Sequence, residues 1–376
     1  MWPADHKSAL LGFAVSAAYW PGMLSAAFTP RWAVIAVGLP LLTRMDPRDV
    51  PEPLRWVLAA LLAVGAVSLA GSPDPKGGAL DLIFMVLLCG TFVAGAGLTS
   101  LDGVMTGAAA GLAISAILCT FQTVPSGLFY SSEVMAEFAA LVFVWGALRP
   151  NLPAVMIAAI PIALSGSRIA IVMAAVALLL AARQSPRVTA SGLVVLATAA
   201  VASLMIFKPE SAADRIDLWA ATVAALMPLG HGLGWFGATY PSDFSHSDVA
   251  QALAELGAAA ALLAAIPIFV ITRDRGNDAE RAVFWAACFE AVVSFPLHMP
   301  ATGFVAAIAA GHLVSRRSLV LVGDRLGGLA DGSRGGRALA ADRAVDRRSY
   351  GGTKQISPRP VPASANASCG VGQRAG

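Results

Sequence analysis

Charge is what this sequence has least of. Of its 376 residues only 13% are Asp, Glu, Lys or Arg, against roughly a quarter in soluble globular domains. So few charges cannot cover a surface in water, and 57% of the chain is hydrophobic, with a mean hydropathy of +0.70. A soluble fold is excluded. What remains is an all-α, polytopic integral membrane protein, because only closed hydrogen-bonding structures cross hydrocarbon and a helix needs about 20 apolar residues to do it. The net charge of +3 is small and scattered, which excludes an electrostatic nucleic-acid partner. Cysteine is scarce as well. Cys89, Cys119 and Cys288 lie in apolar runs and Cys369 near the C-terminus, with no CxxC spacing, so neither a disulfide framework nor a zinc site is indicated and they read as small core residues. No fixed-period repeat is visible and the two halves are not inverted copies, which lowers the case for a repeat-built transporter.

What the chain does have is about twelve apolar segments of spanning character, near 8–28, 32–44, 55–71, 78–97, 103–123, 134–148, 152–165, 168–183, 188–207, 249–272, 281–295 and 300–314. The first continues past a weak signal-peptidase-like site at Ser16 to Ala18 through Tyr19, Trp20 and Met23, so it reads as an uncleaved span. One alternating set of connections holds Lys7, Arg44, Arg48, Arg55, Arg149, Arg183, Arg187, Arg273, Arg275, Arg281, Arg316 and Arg317; the other holds Arg31, Lys76, Arg168, Lys208 and Arg215. Twelve against five puts the first set, and both termini, in the cytoplasm. The one long polar interval, residues 208–248, then faces outward as a periplasmic loop of a bacterial inner membrane. From about Ser315 apolar periodicity gives way to Gly, Ala, Ser, Pro and Arg, a composition unable to bury a core. Residues 1–314 therefore read as a transmembrane domain and 315–376 as a disordered cytoplasmic tail.

Most residues capable of chemistry gather on the cation-poor face. The sequence Leu164-Ser-Gly-Ser-Arg168 is a tight hairpin that pins Arg168 at the outer surface, where small residues allow close helix approach and a guanidinium beside free N–H groups suits phosphate oxygens. Asp214-Arg215-Ile-Asp217-Leu-Trp219 opens an amphipathic stretch on which Arg215 and Trp219, four apart, share a face, so the indole can brace the guanidinium. Gly232, Gly234 and Gly237 match a GxGxxG spacing without a preceding strand, so the glycines around His231 read as permitting close approach to a ligand or another backbone. Asp248 and Gln251 imitate a capping box, and Asp248, Gln251 and Glu255 fall on one helical face. That leaves His246 at the water boundary, where a histidine can act as a general base. Asp243, His246 and Asp248 also permit a weaker metal-binding reading. Finally, Phe295-Pro-Leu-His298-Met-Pro300 makes a rigid corner in which His298 can line the same site.

Taken together, these residues resemble the superfamily of O-antigen ligases and O-antigen or exopolysaccharide polymerases. The resemblance covers roughly 120–300 and rests on L-S-G-S-R at 164–168, R-x-x-x-W followed by P-L-x-G-x-G-L-G-x-F at 215–236, S-H-S-D-V-A-Q-A-L-A-E-L-G at 245–257, and the closing F-P-L-H-M-P. Two departures stand out: Ser131, Ser132 and Glu133 lie where relatives often carry Asn, and Ser247 follows His246 where the family has Asn. What the resemblance implies is transfer of an oligosaccharide from undecaprenyl diphosphate to an acceptor hydroxyl, with Arg168 and Arg215 on the diphosphate and His246 activating the acceptor. Trp219, His231, Asp248, Glu255 and His298 are the expected substrate-binding residues. No cofactor or metal is expected, since the first external loop, Thr29 to Arg31, lacks an acidic residue and no D-x-D lies outside. The partners implied are the lipid-linked glycan, a glycan or lipid A–core acceptor, and membrane lipids.

Within that superfamily the compact chain and its histidine-bearing ending favour a surface-polysaccharide polymerase over an O-antigen ligase. A polysaccharide flippase or small-solute transporter is the alternative of another class; it would keep ionisable residues deep in the bilayer, and Glu137 and Glu290 are the residues of that kind. Orientation is directly measurable. Cysteines at Ser211 and Ser242 should react with an impermeant reagent in spheroplasts while one at Asn277 stays silent; labelling of position 277 alone would invert the topology.

Overall fold

The computed structural model describes residues 6–17, 46–122, 127–129, 131–182, 190–191, 193–194, 197, 209–240, 247–273, 278–294 and 299–315; for residues 6, 7, 209–215, 273 and 300 it describes the backbone alone. All belong to the chain's first unit, Met1–Val322. The expected segment 32–44, nearly all of 188–207, and the tail beyond Ser315 lie outside the described residues.

Among the described residues there are twelve α-helices with defined limits, a 3-10 turn at Pro47–Asp49, further helical residues at 190–191, 193–194 and 197, and no strand: α1 His6–Ala17, α2 Glu52–Ala70, α3 Pro75–Ala96, α4 Asp102–Cys119, α5 Ser132–Leu148, α6 Leu152–Ser165, α7 Arg168–Ala181, α8 Pro209–Ala224, α9 Trp235–Thr239, α10 Asp248–Arg273, α11 Asp278–Val293 and α12 Pro300–Val314. Ten of the expected spans thus coincide with helices to within a few residues, apart from the outer ends of the first and fifth, that of the first lying outside the described residues. Four helices are long and apolar enough to cross a membrane, over Glu52–Ala70, Pro75–Ala96, Asp102–Cys119 and Asp248–Thr272, and α6, α7 and most of α12 are shorter apolar helices. The protein is an all-helical membrane protein.

The bundle is organised around α5. Ser131 caps it by accepting the Val134 N–H at 3.2 Å, and every residue from Val134 to Ala147 is buried. A helix apolar on all sides belongs inside, and α4, α6, α7, α11 and α12 pack around this one. At the other extreme α2 buries only Leu54 and Gly65, leaving Trp56 and Val67 exposed, which is the surface expected of a helix bordering lipid. Gly107 and Gly111 of α4 lie against Ala9 and Ser16 of α1. Their one-turn spacing puts two missing side chains on one face, and the backbones meet there.

Two polar pins fix α11 antiparallel to α5. At one end Arg149 Nη2, just after α5, donates to Glu280 of α11 at 2.6 Å. At the other end Ser294 Oγ, just after α11, donates to Glu137 Oε1 of α5 at 2.5 Å. Between Glu137 and Arg149 the helix rises about 18 Å, so the pins lie near opposite ends of the buried layer.

The tenth helix is interrupted. Gly257 adopts φ 76°, ψ −178°, a combination essentially restricted to glycine, and the turn it makes splits α10 into two stacked pieces. A break leaves backbone groups without helical partners, and at membrane depth each must be satisfied by protein. Here a glycine-rich loop does so. The N–H groups of His231 and Gly232 donate to the carbonyls of Ala254 (2.8 Å) and Glu255 (3.1 Å), and the Ala258 N–H donates to Pro228 O at 3.1 Å. From α2, Ser68 Oγ donates to Glu255 O at 3.0 Å, and beyond its end Ser72 Oγ donates to Leu233 O at 2.5 Å. Leu233, Leu256 and Ala260 close the apolar side against Leu61, Val64, Leu82 and Met85.

A Cβ at position 257 would lie about as close as 2.6 Å to Gly230 N and Leu229 C. Gly257→Ala should therefore destabilise the protein by at least about 1–3 kcal/mol, seen as a lowered thermal midpoint in detergent, whereas Ala259→Ser, two residues further on at an exposed position, should change little.

Candidate functional site

The hairpin between α6 and α7 takes the form its sequence implies. Gly166 is left-handed at φ 65°, Ser165 Oγ accepts the Ser167 N–H at 3.1 Å, and Ser167 Oγ accepts the Ala170 N–H at 3.4 Å as the cap of α7. Arg168 is the first residue of α7 and is exposed. Because α6 starts beside Arg149 and runs back along α5, Arg168 emerges at the end of the bundle where Glu137 and Ser294 meet.

Arg215 lies on α8, one turn before the half-buried Trp219; helical geometry puts the two on the same face. Beyond α8 the chain enters the glycine-rich loop. His231 Nε2 donates to the carbonyl of Ala225 at 2.5 Å, which fixes the Nε2–H tautomer, and its ring stacks on Trp235 at 4.3 Å with a 14° tilt. Trp235 in turn meets Tyr240 edge-on. Of the two readings open for these glycines, close approach to another backbone is the one realised: Gly230 lies against Glu255 and Gly257, Gly232 against Gly71 and Ser72, and Gly234 against Gly78. Glu255, expected to bind substrate, accepts the Phe236 N–H at 3.0 Å and the Gln251 side chain at 3.4 Å. It therefore braces α9 from within the clasp.

Asp248, Gln251 and Glu255 share the buried face of α10, each 3% exposed. The cap lies one residue before the expected Asp248: Ser247 Oγ accepts the Ala250 N–H at 3.2 Å. Asp248 instead sends its own N–H to Ser294 O at 3.0 Å. This joins two segments distant in sequence, since Asp248 lies two residues after His246 and Ser294 four before His298. His246, His298, Asp243 and the side chain of Arg215 lie outside the described residues. Among the described residues no group of three or more His, Cys, Asp and Glu side chains is arranged to hold a metal ion.

Ser68, Ser72 and Ser294 were not legible as polar anchors, because an isolated serine in an apolar run carries no periodic signal. Glu137 and Glu290 did stand out as lone carboxylates in such runs, and both are buried, Glu290 fully. Neither a protein-family model, a curated protein nor a solved structure matches this chain, so the site is read from its own residues.

The opposite end of the bundle is an ion-paired joint. Arg149 bonds Glu280 and lies 3.6 Å from Asp102, whose carboxylate also accepts the Trp145 indole N–H at 3.1 Å. Burial alone would lower the Arg149 pKa; the hydrogen bond and charge of Glu280, with the charge of Asp102, outweigh it and hold the guanidinium above its ordinary value. A raised basic pKa means that stability from this contact is lost only as pH climbs past that value, outside any working range. Glu280 is 2% exposed, so removing its cation should cost more than removing both. Arg149→Met should lower stability by about 1–3 kcal/mol, and Arg149→Met with Glu280→Leu should recover part of the loss in the same thermal assay.

Proposed function

We propose that this protein is a polytopic bacterial inner-membrane glycan transferase of about twelve spans, with both termini cytoplasmic and the Arg168 end of the bundle facing the periplasm. It moves an oligosaccharide from undecaprenyl diphosphate to a hydroxyl of a growing surface polysaccharide, in the manner of the O-antigen ligase and polymerase superfamily its motifs resemble. The observation that carries this reading is convergence at one end of the bundle. Arg168 begins α7 at the end opposite the Arg149 joint, and at that same end the bond from the Asp248 N–H to Ser294 O ties the chain two residues after His246 to the chain four residues before His298.

In this mechanism Arg168 and Arg215 grip the diphosphate, for which planar guanidinium groups are better suited than point charges. Departure of the diphosphate needs charge stabilisation more than protonation, and the two cations supply it. His246, as a neutral imidazole, takes the proton of the acceptor hydroxyl as the oxygen attacks the anomeric carbon. Such a base contributes typically 10²–10⁴-fold. An O-antigen ligase acting on lipid A–core would differ in the acceptor.

A flippase or transporter is the second reading, and two observations favour it: α10 is a broken helix, a device of substrate and ion sites in transporters, and Glu137 and Glu290 are buried carboxylates inside the bundle. Chemistry separates the two. Purified protein given lipid-linked oligosaccharide should lengthen the glycan without added metal and in the presence of EDTA. Arg168→Lys, Arg215→Lys and His246→Ala should each lose most of that turnover, by about 10²-fold or more for the histidine. Glycan that crosses the membrane unlengthened, or full activity in all three variants, would discard the transferase reading.

A further inference from the structure

One buried carboxylate keeps both of its oxygens unused. Glu290, a turn before Ser294, is 0% exposed, and among the described residues neither of its carboxylate oxygens has a hydrogen-bond partner. The carboxylates of Glu137 and Asp248 lie within electrostatic reach of it. Buried polar atoms without partners are rare in folded proteins, and an ionisable one inside a membrane bundle marks a functional position.

Counting donors and acceptors narrows what belongs there. The Ser294 hydroxyl proton is spent on Glu137, its N–H on the carbonyl of Glu290 at 2.6 Å, and the Asp248 N–H on the carbonyl of Ser294. Among the described residues, the Ser294 donors and the Asp248 N–H are used, while both oxygens of Glu290 remain as acceptors. A ligand that completes the set must bring donors, which an ionised diphosphate lacks. The diphosphate is thereby directed to the arginines, and the carboxylate junction is left for a neutral group rich in O–H.

We propose that Glu290 accepts hydrogen bonds from hydroxyls of the acceptor sugar, in a subsite bounded by Glu137, Asp248 and Ser294. This rests on the glycan-transfer reading and adds to it the place where the acceptor is recognised, at the junction from which the His246 and His298 segments depart. Carboxylates pair readily with sugar hydroxyls because each oxygen accepts from two directions.

The test uses full-length protein in nanodiscs and, as binding probe, the free oligosaccharide released by mild acid from the undecaprenyl-linked fraction of the producing strain, which carries no diphosphate; the intact lipid-linked fraction serves as donor in the transfer assay. Glu290→Leu removes the acceptor; Glu290→Gln keeps a carbonyl acceptor in the same shape. The leucine variant should melt higher than wild type, having lost an unpaired buried carboxylate. Its thermal stabilisation by the probe should nonetheless vanish, and its KM for acceptor glycan should rise tenfold or more with the donor KM unchanged. The glutamine variant should stay within about threefold of wild type on each measure, since a neutral acceptor keeps most of a hydroxyl bond.

If wild type transfers glycan and Glu290→Leu keeps the wild-type acceptor KM, the subsite is wrong and the enzyme reading stands. Should the probe stabilise wild type and not the leucine variant while no transfer occurs, the subsite survives and the enzyme reading fails. Loss in both variants, together with stabilisation of wild type by sodium chloride over choline chloride, would make the junction a cation site and overturn the proposal. A leucine variant that does not fold leaves the glutamine variant to decide: loss of probe binding there also overturns it.

Discussion

Everything around the broken helix α10 depends on one requirement, that no backbone N–H or C=O stay unpaired where water is absent. Gly257 breaks α10 and so creates the demand; the loop from Pro228 to Gly234 meets it with its own backbone, aided by Ser68 and Ser72. The glycines of that loop matter because Cβ atoms at 230 and 232 would run into the backbones of Glu255 and Gly71. A loop committed in this way holds α8, which carries Arg215, and α9, which Glu255 braces, in fixed relation to the broken helix.

Charge is sparse enough that its placement can be followed residue by residue. Arg149, Asp102 and Glu280 neutralise one another at one end. At the other, the carboxylates of Glu137 and Asp248 lie within electrostatic reach of Glu290, and Glu137 accepts from Ser294. Of the buried carboxylates, Glu137, Glu280 and Glu290 lie where α5 meets α11, and from Val134 to Ala147 α5 carries no other charge. The two ends thus differ in kind: one is a closed ion-paired joint and the other retains unused acceptor capacity.

Much of this was legible in the sequence. Apolar run length located the helices, and α6 falls on the limits its flanking Arg149-Pro150 and Ser165-Gly166 imply. The hairpin at Gly166 and the shared face of Asp248, Gln251 and Glu255 followed from local spacing alone. The break in α10 did not, because a lone glycine in an alanine-rich run is equally compatible with a continuous helix. Nor did the employment of His231 and Glu255 inside the clasp, which depends on contacts with α2 and α3 far away in sequence. Local rules reach one or two turns. Where a side chain finds its partner across 150 residues, as Ser294 does with Glu137, only the folded bundle reveals it.

The clasp also sets an order of assembly. Ser68 and Glu255 are 187 residues apart in the chain, so the two halves of α10 leave the ribosome long after the α2–α3 hairpin that helps to complete them. Non-local closures of this length form late and slowly, because loop entropy is lost before contacts repay it. Until the hairpin, the glycine loop and α10 come together, the break at Gly257 exposes bare peptide groups to hydrocarbon. During biogenesis this makes the region around the broken helix the last part to mature and the natural point for quality control to act.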